Sequence, residues 1–183
     1  MRRIIVTGPG FAGTNAVIRL LEKTGVYIGN KFLDYPKDQH PYPVKESTEW
    51  NNIVTKARQG HSDTLQQLNH LIEKWDKQTD YAWAWKSPNN FTVLPLLVEY
   101  IPNVLVITCS RKRSTLTSRW MERWKYSKKQ CNDRYLHYLA VVENIMLRQI
   151  PTITVEQEWL KENNEEFKIK ISKTLQEEVE TSS

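Results

Sequence analysis

Ile4-Ile5-Val6-Thr7-Gly8-Pro9-Gly10-Phe11-Ala12-Gly13-Thr14-Asn15 is the stretch on which the fold turns. A short β-branched run ends at glycine, as in a strand buried on both faces of a parallel sheet. Ala16, Val17, Leu20 and Leu21 then recur at helical spacing, and Gly25 stands where the helix stops. A turn between such a strand and helix aims main-chain N–H groups and the positive helix end at one spot, so it suits an anion. Gly8, Gly10 and Gly13 permit the backbone angles the turn needs, and Thr14 and Asn15 add side-chain donors. The spacing Gly8…Gly13-Thr14 fits the frame of a Walker A loop, but Thr14 stands where the lysine belongs. This disfavours a nucleoside-triphosphate kinase or ATPase.

Outward from this stretch, strands and helices alternate. Val26-Tyr27-Ile28-Gly29 reads as a brief extended piece before a polar, proline-containing segment from Asn30 to Val44. A weakly helical pattern runs from Glu46 to Arg58, and Ser62 offers a cap to a helix striped by Leu65, Leu68, Leu71, Ile72 and Trp75. Tyr81 to Trp85 alternates large and small side chains, which predicts a second strand ending at Lys86-Ser87-Pro88. Val93 to Tyr100 predicts a compact helix, and Asn103 to Cys109 a third strand. Amphipathic helices follow between Ser114 and Gln149 with a break near Lys128 to Asn132, then a short strand at Thr152 to Val155. The pattern predicts an α/β fold with a mainly parallel sheet covered on both faces. We expect one domain over residues 1–176, with a polar C-terminal tail fraying over 177–183.

Charge is uneven along the 183 residues. The net charge is +5, but residues 155–183 hold 8 acidic and 4 basic side chains, so the body before them approaches +9. Such an excess favours an anionic partner without choosing among nucleotide, sulfated or phosphorylated substrate, and nucleic acid. After Met1-Arg2-Arg3 only three apolar residues precede Thr7, far short of a signal-peptide core, and no apolar run approaches the roughly 20 residues of a membrane span. The expectation is a cytoplasmic protein without membrane contact. Cys109 and Cys131 lack metal-ligand spacing and read as free thiols, and no metal site is expected.

Four motifs in order give a more specific expectation. Gly8-Pro9-Gly10-Phe11-Ala12-Gly13-Thr14-Asn15 is followed by Gly25-Val26-Tyr27-Ile28-Gly29, by Trp83-Ala84-Trp85-Lys86-Ser87-Pro88, and by Val104 to Cys109 leading into Ser110-Arg111 and Ser118. Over roughly residues 3 to 160 the chain resembles the sulfotransferase family, in particular its small bacterial and phage-type members. The resemblance implies a three-layer α/β sandwich of P-loop type. It also implies transfer of a sulfuryl group from 3′-phosphoadenosine 5′-phosphosulfate (PAPS) to a hydroxyl or amine of a small-molecule or glycan acceptor, with no metal ion. Residues 8–15 would hold the donor's 5′-phosphosulfate, and Arg111 with Ser118 its 3′-phosphate. A dianionic phosphate suits a bidentate arginine and a hydroxyl at a helix start. Lys86 would face the donor and stabilise the transferring group, which otherwise reads as an exposed lysine at a strand end.

The chain departs from the family pattern at several positions. Phe11 replaces a basic residue, Ala12 a serine and Asn15 a hydroxyl residue. Electrostatic contributions of the kind the basic residue supplies are worth about 3–4 kcal/mol. Arg111 and Ser118 are seven apart where the family has eight, so any of Ser110 to Arg113 can meet the phosphate. Proton removal from an alcohol acceptor needs a base, for which Glu46, Glu49 and His40 are the candidates. Two other readings compete. One is a sulfotransferase-like binder that has lost catalysis, suggested by Phe11. The other is a nucleic-acid-binding module, suggested by Arg111-Lys112-Arg113, Arg119, Arg123, Lys125, Lys128 and Lys129 interleaved with Trp120, Trp124 and Tyr126.

Overall fold

A computed structural model describes residues 1–34, 44–86 and 90–180. In chain order the elements are β1 (Arg2–Thr7), α1 (Thr14–Lys23), α2 (Thr48–Arg58), α3 (Thr64–Asp76), β2 (Ala82–Lys86), α4 (Leu94–Tyr100), β3 (Val104–Ser110), α5 (Arg113–Trp124), α6 (Lys128–Leu147), β4 (Thr152–Glu156), α7 (Gln157–Glu162) and α8 (Asn164–Glu180). A single 3-10 turn at Asn90–Val93 leads into α4. The four strands form one all-parallel sheet in the order β2-β1-β3-β4, with Val6 level with Lys86 and Thr7 level with Thr108. The expected α/β fold with a parallel sheet is present.

Period-two alternation sorts the strand side chains into two cores. Ile4, Val6, Ala82, Ala84, Leu105 and Ile107 face a cluster closed by Val17 and Leu21 of α1 and by Phe167 and Ile171 of α8. Ile5, Trp83, Trp85 and Val106 face the other, closed by Trp50 of α2, Trp75 of α3, Leu97 of α4 and Ile145 of α6. The large-small alternation of β2 therefore has a mechanical meaning. Its alanines let α1 approach, while its tryptophans meet Trp50 at ring-centroid distances of 5.2 and 5.0 Å. Edge-to-face contacts of Trp75 with Trp50 and Trp83, at 5.6 and 5.5 Å, complete an aromatic cluster favoured by the ring quadrupole.

Helix ends follow local chemistry. Ser47 caps α2 by accepting from the Trp50 N–H, and Ser127 with Gln130 forms a reciprocal capping box on α6. That box corrects the expected helix break: it falls at Lys125 to Ser127, where Lys125 turns left-handed at φ 57°, rather than at Lys128 to Asn132. Ser62 does not cap α3; Asp63 occupies the cap position, because Thr64 closes a turn back onto the His61 carbonyl. The extended piece near Tyr27 lies against the outer edge of β2, where Tyr27 donates to Ala82 and accepts from Ala84 at 2.9 and 2.8 Å. Helix α8 carries helical backbone to Glu180, beyond the expected stop at Gln176. Cys109 and Cys131 are buried free thiols. Among the described residues no helix is long and apolar enough to cross a membrane.

Candidate functional site

The strand order sets the location of the site. From β1 the chain moves outward to β2, then crosses back to β3 and on to β4, so connections diverge between β1 and β3. In open parallel sheets the crevice at the carboxyl ends of such diverging strands is where ligands bind. The loop from Gly8 to Gly13 leaves β1 at that point, and Ser110 and Arg111 leave β3 beside it.

The loop's shape depends on its glycines at two positions. A Cβ on Gly8 would lie 2.5 Å from the Cys109 carbonyl oxygen, so the chain leaves β1 pressed against β3. Gly13 caps α1 at φ 94°, and a Cβ there would lie 2.9 Å from Gln157. Between them Ala12 N–H donates to the Pro9 carbonyl at 3.0 Å, and Phe11 adopts φ 71°. The first turn of α1 contains no acidic side chain, and the Thr14 and Asn15 N–H groups precede its first main-chain bonds, which run from Ala16 and Val17 to the Gly13 carbonyl. Thr14 is buried at the start of that turn.

Aromatic rings cover part of the loop. Trp120 donates its indole N–H to the Gly10 carbonyl at 3.0 Å. The Trp124 ring lies so close over Gly10 that a Cβ there would stand 2.2 Å from it, and Phe11 packs on the same ring at 5.1 Å. Trp120 and Trp124 therefore pack against the loop itself. Trp120 is fully buried, whereas Arg119, Arg123, Lys125, Lys128 and Lys129 are exposed.

Lys86 is not exposed at its strand end. Its ammonium is buried and donates to Glu46 Oε1 at 2.9 Å. Burial lowers its pKa below the usual lysine value despite the opposing pull of Glu46. Asn15 has a positioning part in this arrangement. Its side-chain oxygen accepts from the Lys45 N–H at 3.3 Å, which fixes the segment carrying Glu46 against the start of α1. Cys109 lies near enough to interact with Lys86, and burial pushes its thiol up to about 12.

Arg111 bridges the loop and the far side of the crevice. It donates from Nη1 to the Phe11 carbonyl at 3.3 Å and from Nε to Glu158 at 3.0 Å. Ser118 is exposed on α5 in a different groove, of about 720 Å³, with Arg113, Ser114, Thr117, Lys128 and Lys129. Arg111 is not part of that groove's lining; among Ser110 to Arg113, it is Arg113 that shares it with Ser118.

Of the two base candidates among the described residues, Glu46 meets Lys86. Glu49 turns toward α3, where it accepts from Lys74 and from the Trp75 indole. Burial pushes its pKa up, but those two donors outweigh it and leave the carboxyl below the usual range. His40 lies outside the described residues, as do Ser87 and Pro88. Sequence reasoning did not find Gln157 and Glu158, which stand over Gly13 and beside Arg111. Their position directly after the last parallel strand was the available signal, since loops there meet at one end of the sheet. The chain matches no known family model and no curated protein.

Proposed function

We propose that this protein is a sulfotransferase that moves a sulfuryl group from PAPS to a hydroxyl or amine acceptor. The observation that supports it best is a convergence: the glycine loop, Lys86 and Arg111 emerge from the carboxyl ends of three adjacent strands at the point where the sheet's connections diverge. In this reading the α1 N-terminus and loop amides hold the 5′-phosphosulfate, a dianionic tail for which they need no side-chain cation of their own. Arg111 contacts the donor beside Phe11, and Ser118 with Arg113 offers a second anion position on α5.

The transfer balances as follows. The acceptor oxygen or nitrogen attacks sulfur, the sulfur–oxygen bond to the phosphate breaks, and its electron pair leaves on 3′-phosphoadenosine 5′-phosphate (PAP). Lys86 offsets the charge growing on the bridging oxygen. Glu46, hydrogen-bonded to Lys86, takes the acceptor proton. Phe11 carries no charge and leaves that part to Lys86 and Arg111, which makes the Lys86–Glu46 pair more important here than it would be beside a basic loop residue.

Calorimetry with PAP, ATP and adenosine 5′-phosphate tests the reading. Selective affinity for PAP, weakened about 10- to 100-fold in Arg111→Ala through loss of a charge-assisted hydrogen bond, is the expected result. Equal indifference to all three nucleotides overturns it. A second reading draws on the exposed cations of α5 and α6. With Trp120 buried and Trp124 packed on the loop, they would hold a polyanion through its phosphates alone, with steep salt dependence and no preference for adenosine.

A further inference from the structure

Beside the aromatic cover of the loop lies a cavity of about 960 Å³ lined by Arg58, Thr92, Val93, Trp124, Tyr126 and Arg134. It is a different space from the loop, but the two share a wall: Trp124 lies over Gly10 on the loop and also lines the cavity. Three remote parts of the chain build it, namely the C-terminal end of α2, the turn before α4, and the junction of α5 and α6.

Its chemistry is selective. Two guanidinium groups line it, and no acidic side chain does so among the described residues. Arg58 donates to the Thr92 hydroxyl at 3.0 Å, which orients both at the cavity wall. Arg134 is held over the rings of Phe91 and Trp124 at 5.2 and 5.7 Å, so its planar fork is already placed. Trp124 and Tyr126 pack 5.6 Å apart and give the cavity aromatic surface. Aromatic surface of this kind packs against the apolar C–H side of a sugar ring, while the two arginines select a carboxylate or sulfate on it. The volume suits a mono- or disaccharide.

We propose that this cavity binds an acidic saccharide, and that it is the acceptor subsite for sulfuryl transfer. The second half rests on the sulfotransferase reading; saccharide binding does not. Calorimetry with a glucuronic-acid-containing disaccharide, neutral cellobiose and inorganic sulfate tests it, with PAP titrated separately. The acidic disaccharide is expected to bind at least 10-fold more tightly than either comparison ligand. Arg58→Gln and Arg134→Gln should each weaken it about 10-fold, and Arg58→Gln should leave PAP affinity unchanged. Arg58 is exposed, so its variant reports even if Arg134→Gln disturbs packing. Equal binding of acidic and neutral disaccharides, equal binding of sulfate alone, no binding of any of the three, or an unchanged Arg58→Gln overturns the proposal. Acidic-disaccharide binding without PAP binding would remove the acceptor role and the sulfotransferase reading while leaving the saccharide site in place.

Discussion

Removing one partner of the Lys86–Glu46 pair should destabilise the protein far more than removing both. At 2.9 Å and an effective dielectric near 20, the attraction is about 6 kcal/mol, against a desolvation cost of several kcal/mol for each buried ion. The intact pair therefore nets little. Lys86→Met takes its ammonium partner from the buried Glu46 carboxylate and Glu46→Leu takes the carboxylate from the buried Lys86 ammonium, each costing about 3–5 kcal/mol. The double replacement removes both charges and should lie within about 1 kcal/mol of the native protein. Urea unfolding followed by far-ultraviolet circular dichroism measures all four corners of the cycle. With a slope near 2 kcal/mol per molar, each single variant should lose about 2 M in midpoint, and the double variant should recover most of it. Single variants within about 0.5 kcal/mol of native, or strictly additive losses, would refute a desolvated pair. The double variant also separates architecture from chemistry: it should stay folded and, on the proposed sulfotransferase reading, lose sulfuryl transfer.

Gly8→Ala should cost more than Gly10→Ala in chemical unfolding, because the first drives a methyl into the Cys109 main chain and the second meets the displaceable ring edge of Trp124; equal losses would count against this. Above the ordinary thiol and phenol range, stability should fall with rising pH. Burial raises the folded-state values of Cys109 and Tyr138, so the folded state holds protons that the unfolded chain has released, and Cys109→Ala should flatten the slope. At the acid end the sign reverses. Burial pushes Asp76 up, yet hydrogen bonds from Arg3 and Trp83 outweigh it and hold the carboxyl low. Its contribution is present above the ordinary carboxylate range and is lost as pH falls through the lowered value, so Asp76→Asn should show a weaker acid transition. Phe11→Arg should raise sulfuryl transfer by about 10²-fold if the loop is a weakened catalytic loop; an unchanged rate would identify a binder.

Much of the sheet could be read from short-range pattern. Ile4 to Thr7, Trp83 to Trp85 and Val104 to Cys109 carry their periodicity within a few residues, and a buried parallel strand imposes that pattern directly. The loop was legible for the same reason, because its glycines are local conformational requirements. What fills and surrounds the loop was not. Lys86 meets Glu46 from 40 residues away, Trp120 reaches Gly10 across 110, and Arg111 contacts Glu158 across 47. No local preference encodes such pairings. Lys86 at a strand end looks solvated until the segment after Val44 is laid over it. Glu46 and Glu49 read alike in sequence, yet they face different partners because they stand on opposite sides of the Ser47 cap, one preceding the helix and the other in its first turn.

The placement of β1 has a consequence for the newly made chain. Ile5 is flanked by Trp85 and Val106, so β1, the earliest of these four strands to be synthesised, is an inner strand and lacks its full pair of neighbours until about a hundred more residues have followed. At 5–20 residues per second that interval lasts roughly 5–20 s, during which a greasy segment waits without its mates. Late strand docking raises the contact order and slows the search. Chaperone dependence in the cell, and late recovery of the buried tryptophan fluorescence in a refolding trace, are the expected signatures of that order of assembly.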